Sequence, residues 1–276
     1  MKSEIAGAIN LKHHPVAVIL SDEKPDQALQ FKPGKWGCVM FMFANAARGK
    51  TAAFDAQTYG CWGGGVGLGF GNAYQAFPGG VDCFAHFLST GNDQWAFGRQ
   101  VGEGVKQAAG KEFAEDFLKG ERYVKNPGLV KEWIDELPIT DPESTYVLFK
   151  PLDEVDPKTE TPATIVLVVD ADQLSALVIL ANYARQGMEN VIIPWAAGCQ
   201  TVGLLPFREG RSKNPRAVVG LTDISARKYV RNFLGADCLT FAMPWQLFQE
   251  MEAQVDGSFL QRPTWLSLIS SRKEKS

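Results

Sequence analysis

The feature that most restricts the fold of this 276-residue chain is an order of motifs that occurs twice. In each copy a proline-led apolar run comes first, then Ala-Asn-x-Ala-Arg, then an extended segment that ends in Gly-Cys. The cysteine follows the first alanine by 17 residues in one copy (Ala44 to Cys61) and by 18 in the other (Ala181 to Cys199). One such match arises by chance, whereas an ordered set indicates a duplication.

The duplication predicts an α+β fold with two pseudo-repeated halves, in which mixed sheets and packed helices surround a shared interface. We expect the first half over residues 1–152, with a helical insertion, and the second over residues 161–276. One compact domain is the alternative. The apolar runs that follow Pro15 and Pro162 are short and β-branched, as expected of buried strands. A helix is predicted from about Cys38 to Arg48.

Residues 60–70 form a glycine-dense segment, Gly60-Cys-Trp-Gly-Gly-Gly-Val-Gly-Leu-Gly-Phe70. Six of these eleven residues are glycine, which indicates positive φ angles or a close approach of the backbone to another group. We predict a turn and a loop here. A phosphate-binding loop is less favoured, because the segment lacks both the Lys-Ser/Thr of a P-loop and the G-x-G-x-x-G register.

The composition favours an ordinary globular protein, with 45% hydrophobic residues and a formal charge of −3. No long-range field would gather a polyanion, so nucleic acid is not an expected partner. No stretch approaches the 18 consecutive apolar residues of a membrane span, and the first residues lack the apolar region of a signal peptide. We therefore expect a cytoplasmic protein without a membrane partner, and a homo-oligomer is left open. The odd set of five cysteines makes disulfides unexpected.

Three cysteines are the candidate ligands of a cofactor and its metal: Cys38, Cys61 and Cys199. If the two halves share one interface, the loops that carry Cys61 and Cys199 meet there. Thiolates are soft ligands that hold iron and zinc, and a four-iron four-sulfur cluster on three cysteines leaves one iron open. The spacing disfavours structural zinc, which usually uses cysteine pairs two to four residues apart. Unrelated buried thiols are the remaining alternative.

Tryptophans flank the cysteine segments and predict the walls of a pocket. The predicted pocket-lining residues are Trp36, Trp62, Gly63, Gly64, Trp195 and Trp245. Such rings either exclude water from a cluster or stack on a small-molecule ligand. A non-catalytic small-molecule-binding protein with structural cysteines is therefore the second hypothesis. A thiol enzyme with an activated Cys61 is the third, so whether the protein is an enzyme is left open.

Two further groups allow a functional and a structural interpretation. Cys83 and His86 lie three residues apart, which suits either a nucleophile–base pair or core packing. Arg216 and Arg227 either bind a carboxylate or phosphate or form salt bridges. Cys238 lies in a strand context and is expected to be a buried residue.

Several motifs together resemble a known family. They are Gly37-Cys-Val-Met-Phe-Met-Phe-Ala-Asn-Ala-Ala-Arg-Gly49, the glycine-dense segment from Cys61, Ala197-Gly-Cys199 and Leu239-Thr-Phe-Ala-Met-Pro-Trp245. The chain resembles domain-of-unknown-function family number 169, the archaeal conserved region family, from about Pro15 to Trp245. The resemblance implies a cytoplasmic protein of archaea and anaerobic bacteria, with motif cysteines at the three candidate ligands, and it implies no particular reaction.

Overall fold

A computed structural model describes residues 1–273 of the chain. The strands are β1 Val16–Ser21, β2 Ala52–Phe54, β3 Tyr146–Pro151, β4 Thr164–Val169, β5 Val191–Ile192, β6 Ala217–Gly220 and β7 Leu239–Pro244. The α-helices are α1 Glu4–Ala8, α2 Val39–Ala46, α3 Trp62–Gly67, α4 Gly80–Leu88, α5 Ala96–Ala108, α6 Lys111–Lys119, α7 Pro127–Glu136, α8 Ala171–Asn182, α9 Gly198–Val202, α10 Leu204–Gly210, α11 Ile224–Leu234, α12 Trp245–Ala253 and α13 Pro263–Lys273.

The chain divides into two compact units, residues 1–70 with 141–276 and residues 71–140. The second unit is helical and contains α4 to α7 around an aromatic cluster. In that cluster the Tyr74 and Phe84 rings stack at 4.0 Å, and the Phe77 ring meets Phe84 edge-on at 5.2 Å. Within the described residues, no helix is long and apolar enough to cross a membrane.

The first unit is built on a mixed sheet in which, among the described residues, seven strands lie in the order β2-β3-β1-β4-β7-β6-β5. The pair β5–β6 is parallel and the other neighbouring strands are antiparallel. This confirms the predicted α+β class. The predicted halves, 1–152 and 161–276, contribute strands to one sheet, because β1 pairs with β4 at its centre. Residues 274–276 of the second half lie outside the described part of the chain.

Both faces of the sheet are covered by helices, so its strands are apolar on both sides. Val16 and Val18 point to one face, and Ala17 and Ile19 point to the other. We call the first the cysteine face, since Cys199 is part of its core. The cysteine face carries α2, α3, α9, α10 and α11, and the opposite face carries α1, α8, α12 and α13.

The structure does not show the two repeated halves that the sequence predicts. The inner strands do follow the duplication, since Val16 of β1 lies opposite Pro151 just as Thr164 of β4 lies opposite Pro244. The helices that follow those strands differ, because α2 packs on the cysteine face and α8 on the opposite face. The rotation that superposes the two strand pairs runs about an axis perpendicular to the sheet, so it leaves each helix on its own face. It therefore does not superpose α2 on α8.

The glycine-dense segment is a helix rather than the predicted loop. Gly60 and Gly69 have positive φ angles and bound the helix α3, which Cys61 begins as its N-cap. Glycine is a poor helix former, and close packing compensates for this within α3. A Cβ atom at Gly67 would lie 2.7 Å from the carbonyl carbon of Cys199 and 2.8 Å from the Gln200 nitrogen. The glycines therefore let the backbones of α3 and α9 touch, as the composition of the segment predicted.

Candidate functional site

Three of the five cysteines stand at the beginnings of helices on the cysteine face. Cys38 is the N-cap of α2, Cys61 is the N-cap of α3, and Cys199 is the second residue of α9. Helix α9 packs against both α2 and α3. The fold therefore brings together the three cysteines that the sequence predicted as ligands.

The three thiols are close enough for the charge of one to affect the pKa of another. Burial raises the pKa of Cys38 to about 12, and the nearby Cys61 is the next cause of that rise. Burial also raises the pKa of Cys199 well above its ordinary value, with Cys61, Asp223 and Cys38 adding to the effect. The pKa of Cys61 is likewise raised by burial. All three groups are consequently neutral thiols at pH 7 in the protein without a bound metal.

Backbone groups contact the sulfur atoms directly. The Gly64 amide donates a hydrogen bond to Cys61 Sγ at 3.2 Å, and the thiol of Cys199 donates to the Gly63 carbonyl at 3.0 Å. The backbone amides of Phe41 and Met40 lower the pKa of Cys38 in opposition to burial. Amide donors of this kind stabilise negative charge on sulfur.

The side chains as they stand do not form a metal-binding set. Within residues 1–273, no group of three or more His, Cys, Asp or Glu side chains has the arrangement that holds a metal ion. One contact opposes ligation, because the thiol of Cys199 donates to the Gly63 carbonyl. Ligation at Cys199 would require its side chain to turn away from Gly63.

Asp223 joins the cysteine site from a fourth helix, a role that no sequence pattern predicted. It is the N-cap of α11, where its carboxylate accepts from the Ala226 amide, and it also accepts from the amide of Gly198 beside Cys199. Burial raises the pKa of this carboxyl. An Asp three residues before Ala226 predicts a helix cap. Only the tertiary structure shows that the same side chain holds the beginning of α9.

The sequence equated Cys61 with Cys199, and the structure offsets them by two residues. Cys61 is the N-cap of α3, whereas the N-cap of α9 is Ala197. Alignment of the two caps also aligns Val66-Gly67-Leu68 with Val202-Gly203-Leu204. In that register Cys199 corresponds to Gly63, whose carbonyl it contacts. The two cysteines therefore meet across the packed helices rather than from equivalent loops.

The predicted pocket residues separate into two groups. Gly63 and Gly64 contact the cysteine sulfurs, and the half-buried Trp62 is the first residue of α3. The Trp36 side chain is 53% exposed and that of Trp195 is 44% exposed, each a few residues from a candidate ligand. Trp245 does not belong with them, because it packs on the core of the opposite face, where its ring stacks on Phe248 at 5.5 Å.

The remaining candidates have structural partners. His86 stacks on Trp95 at 4.8 Å, and its Nδ1 lies 3.3 Å from the hydroxyl of Thr90. Cys83 is buried, and its pKa is raised to about 11 by that burial. These contacts favour the core-packing interpretation of the Cys83 and His86 pair.

The two predicted anion-binding arginines also have partners within the chain. Arg216 forms an ion pair with the buried Glu209, through Nη2 and Oε1 at 3.0 Å. Arg227 donates to the backbone carbonyls of Leu221, Ala236 and Cys238. Both guanidinium groups therefore hold the fold together, as the salt-bridge interpretation expected for Arg216. Cys238 is only partly buried and packs against the core of the cysteine face.

Comparison with known proteins identifies the family without supplying a reaction. No curated protein and no solved structure matches the chain. The family model for DUF169, described as uncharacterised ArCR, matches residues 4–254, and this span includes every element from α1 to α12. The match covers the sheet, both helical faces and the three-cysteine site, so the chain belongs to the DUF169 family.

Proposed function

We propose that Cys38, Cys61 and Cys199 bind an iron–sulfur cluster, of the four-iron four-sulfur type, that serves a redox or Lewis-acid function. The observation that carries the proposal is the convergence of three thiols from α2, α3 and α9, close enough for Cys61 to raise the pKa of both others. If the thiols were unrelated buried residues, there would be no reason for three of them to lie together. Soft thiolate ligands suit iron, and three of them leave one iron open to substrate.

One contact of the sulfurs supports this assignment. The Gly64 amide donates to Cys61 Sγ, and amide donors of this kind stabilise an anionic cluster. The side chain of Cys199 rotates from Gly63 on ligation under this proposal.

The thiol-enzyme hypothesis has less support. A cysteine nucleophile needs a lowered pKa, because the thiolate is the reactive form. Burial instead raises the pKa of Cys61, and of Cys38 to about 12. The site is therefore poorly suited to an unassisted nucleophile.

The alternative function is a non-catalytic protein that binds a small molecule in a pocket lined by tryptophan and glycine. The exposed rings of Trp36 and Trp195 favour it, since large exposed aromatic surfaces stack well on planar ligands. In that case the three cysteines are neutral packing residues. A protein that binds no iron under reconstitution would leave this function as the better supported one.

The test is the iron and acid-labile sulfide content of protein purified and reconstituted without oxygen. We expect about four irons and four sulfides per chain, with a broad visible absorption, and a loss of both in Cys38→Ala, Cys61→Ala and Cys199→Ala. The matched controls are Cys83→Ala and Cys238→Ala, which remove cysteines outside the site and should leave both contents unchanged. Iron absent from the wild type, or equally retained in all five variants, would contradict the proposal.

A further inference from the structure

An open cavity of about 490 Å³ lies where β6 passes into α11 and β7 begins. Arg227, Asp237 and Thr222 line it, together with two leucines, an alanine and a cysteine. The described residues of its wall do not include the three candidate cluster ligands. Pockets that bind small molecules combine an apolar wall with a few convergent polar groups in this way, so the cavity is a candidate ligand site.

The guanidinium of Arg227 is anchored and still has free donors. Three of its N–H groups, on Nη1 and Nη2, donate to the carbonyls of Leu221, Ala236 and Cys238. Among the described residues, no acceptor takes the Nε hydrogen or the second hydrogen of Nη2. These bonds hold the guanidinium in place, so its remaining N–H groups are positioned to donate to a carboxylate.

The charges around the cavity balance. Those that act on the Cys238 thiol are two cations, Arg227 and Lys12, and two anions, Asp237 and Asp170. In the described part of the chain, the hydrogen bonds of Arg227 go to carbonyl groups and not to the carboxylate of Asp237. Two opposite charges therefore line one cavity without neutralising each other directly. A ligand that carries one charge of each sign complements such a wall better than an anion or a cation does.

A polar group of the wall also lacks a partner. The hydroxyl oxygen of Thr222 is buried and has no hydrogen-bond partner among the described residues. An unpaired buried hydroxyl costs free energy, which a ligand that bonds to it would offset. The neighbouring Asp223 adds no free charge to the cavity, because its carboxylate accepts from the amides of Ala226 and Gly198.

We propose that this cavity binds a free α-amino acid with an aliphatic side chain. The carboxylate of the amino acid accepts from the free N–H groups of Arg227 and from the Thr222 hydroxyl, which turns to the ligand on binding. The ammonium group of the amino acid pairs with Asp237. The two leucines and the alanine of the wall provide the apolar surface for its side chain. The inference does not rest on the proposed cluster.

Isothermal titration calorimetry with L-leucine and the full chain tests this site. We expect a Kd of about 0.1 mM. Isocaproate lacks the ammonium group of L-leucine and isoamylamine lacks its carboxylate, so each should bind at least about tenfold more weakly. Asp237→Asn removes an exposed carboxylate and should weaken L-leucine binding about tenfold, but it should not weaken isocaproate binding.

A second variant tests the cavity without removing a charge. Ala236 is exposed, so Ala236→Phe should fold, fill the cavity and abolish L-leucine binding. The matched controls are Ala184→Phe and Asp26→Asn, which change an exposed alanine and an exposed aspartate outside the cavity. Both controls should bind L-leucine as the wild type does.

Three results overturn the inference: no binding of L-leucine at about 10 mM, isocaproate binding as tight as that of L-leucine, or unchanged L-leucine binding by Asp237→Asn. The Cys61→Ala protein separates this site from the proposed function, because it should lose iron and keep its affinity for L-leucine. Loss of L-leucine binding in Cys61→Ala would place the ligand at the cysteines and would also overturn the inference.

Discussion

The two faces of the sheet both have apolar cores but are assembled differently. On the opposite face, α8 has a capping box formed by Asp170 and Gln173, and it packs on the sheet through Leu177 and Leu180. On the cysteine face, α3 and α9 meet through glycines, and side chains from one helix bind the backbone of another. On the opposite face, too, side chains bind the backbone of another helix, since Glu252 of α12 accepts from the amides of Glu4 and Ile5 in α1. The contact of two helix backbones through glycine is therefore what distinguishes the cysteine face.

The contrast between the faces indicates where a functional site lies. The opposite face combines packing by leucine and valine with side-chain hydrogen bonds to α1, among them the bond from Trp265 Nε1 to the Ala8 carbonyl at 2.9 Å. The cysteine face gives up helix propensity in α3 and places Cys199 in its core, with the partly buried Cys38, Cys61 and Asp223 near it. Locally unfavourable choices of this kind are typical of functional sites. Four predictions test the comparison, in order of the size of the expected effect.

The largest effect is expected from Leu177→Ala on the opposite face. Leu177 is fully buried, so the variant should lose about 2–5 kcal/mol of unfolding free energy through lost contacts and a cavity. Denaturant unfolding measures this loss, and Val178→Ala, at a partly exposed neighbour, should cost much less. The folded variant should keep its iron content after reconstitution. Selective loss of iron from folded protein would show that the two faces are not independent.

Glu209→Gln on the cysteine face should cost about 1.5–3 kcal/mol at pH 7. Burial raises the pKa of Glu209, but the hydrogen bonds and charge of Arg216 outweigh that effect and leave the pKa below its ordinary value of 4.5. A lowered folded-state pKa gives stability that is present above pH 4.5 and is lost as the pH falls through the folded value. The difference between wild type and variant should therefore shrink below pH 4.5 in denaturant titrations. If the difference in unfolding free energy between wild type and variant does not change with pH, the Glu209–Arg216 ion pair does not stabilise the protein.

Gly67→Ala should cost about 1–3 kcal/mol, because the new methyl group would meet the backbone of α9. The nearest atoms are the carbonyl carbon of Cys199 and the nitrogen of Gln200, at 2.7 and 2.8 Å, and backbone atoms have little room to shift. The variant should also bind less iron, since α9 carries Cys199. Unchanged stability measured by denaturant unfolding would mean that α3 and α9 do not touch.

Gly7→Ala in α1, on the opposite face, is the matched control and should have the smallest effect. A Cβ atom at Gly7 has no neighbour within 4 Å. Since alanine is the better helix former, we expect a gain of about 0.5–1 kcal/mol, measured as a shift of the denaturant midpoint. A loss comparable to that of Gly67→Ala would show that glycine is required on both faces, and the contrast between them would disappear.

The sequence predicted those features that depend on local pattern. The strands after Pro15 and Pro162 appear as β1 and β4, and the helix predicted after Cys38 is α2. Apolar runs and helix signals depend on a few neighbouring residues, so the elements that they predict are present in the folded protein. The grouping of Cys38, Cys61 and Cys199 was also predicted, although from a duplication whose helices the structure does not superpose.

Features that depend on tertiary contacts were not predicted. The glycine-dense segment forms α3 because α9 packs on it, and no propensity within residues 60–70 indicates this. The exposed rings of Tyr229 and Phe233 join Trp36 and Phe41 only when α11 lies beside α2. Trp245 was predicted to line the pocket beside the cysteines, but it packs on the core of the opposite face, because its position depends on the sheet and not on sequence spacing.

The most direct test of the central claim is the Mössbauer spectrum of protein reconstituted with iron-57 without oxygen. Three cysteine ligands on a four-iron cluster predict that about one iron in four has an environment distinct from the other three. We expect this pattern in the wild type and in Cys238→Ala. We expect it to disappear in Cys61→Ala. A spectrum of isolated high-spin iron, unchanged by Cys61→Ala, would contradict the claim that these three cysteines form one cluster site.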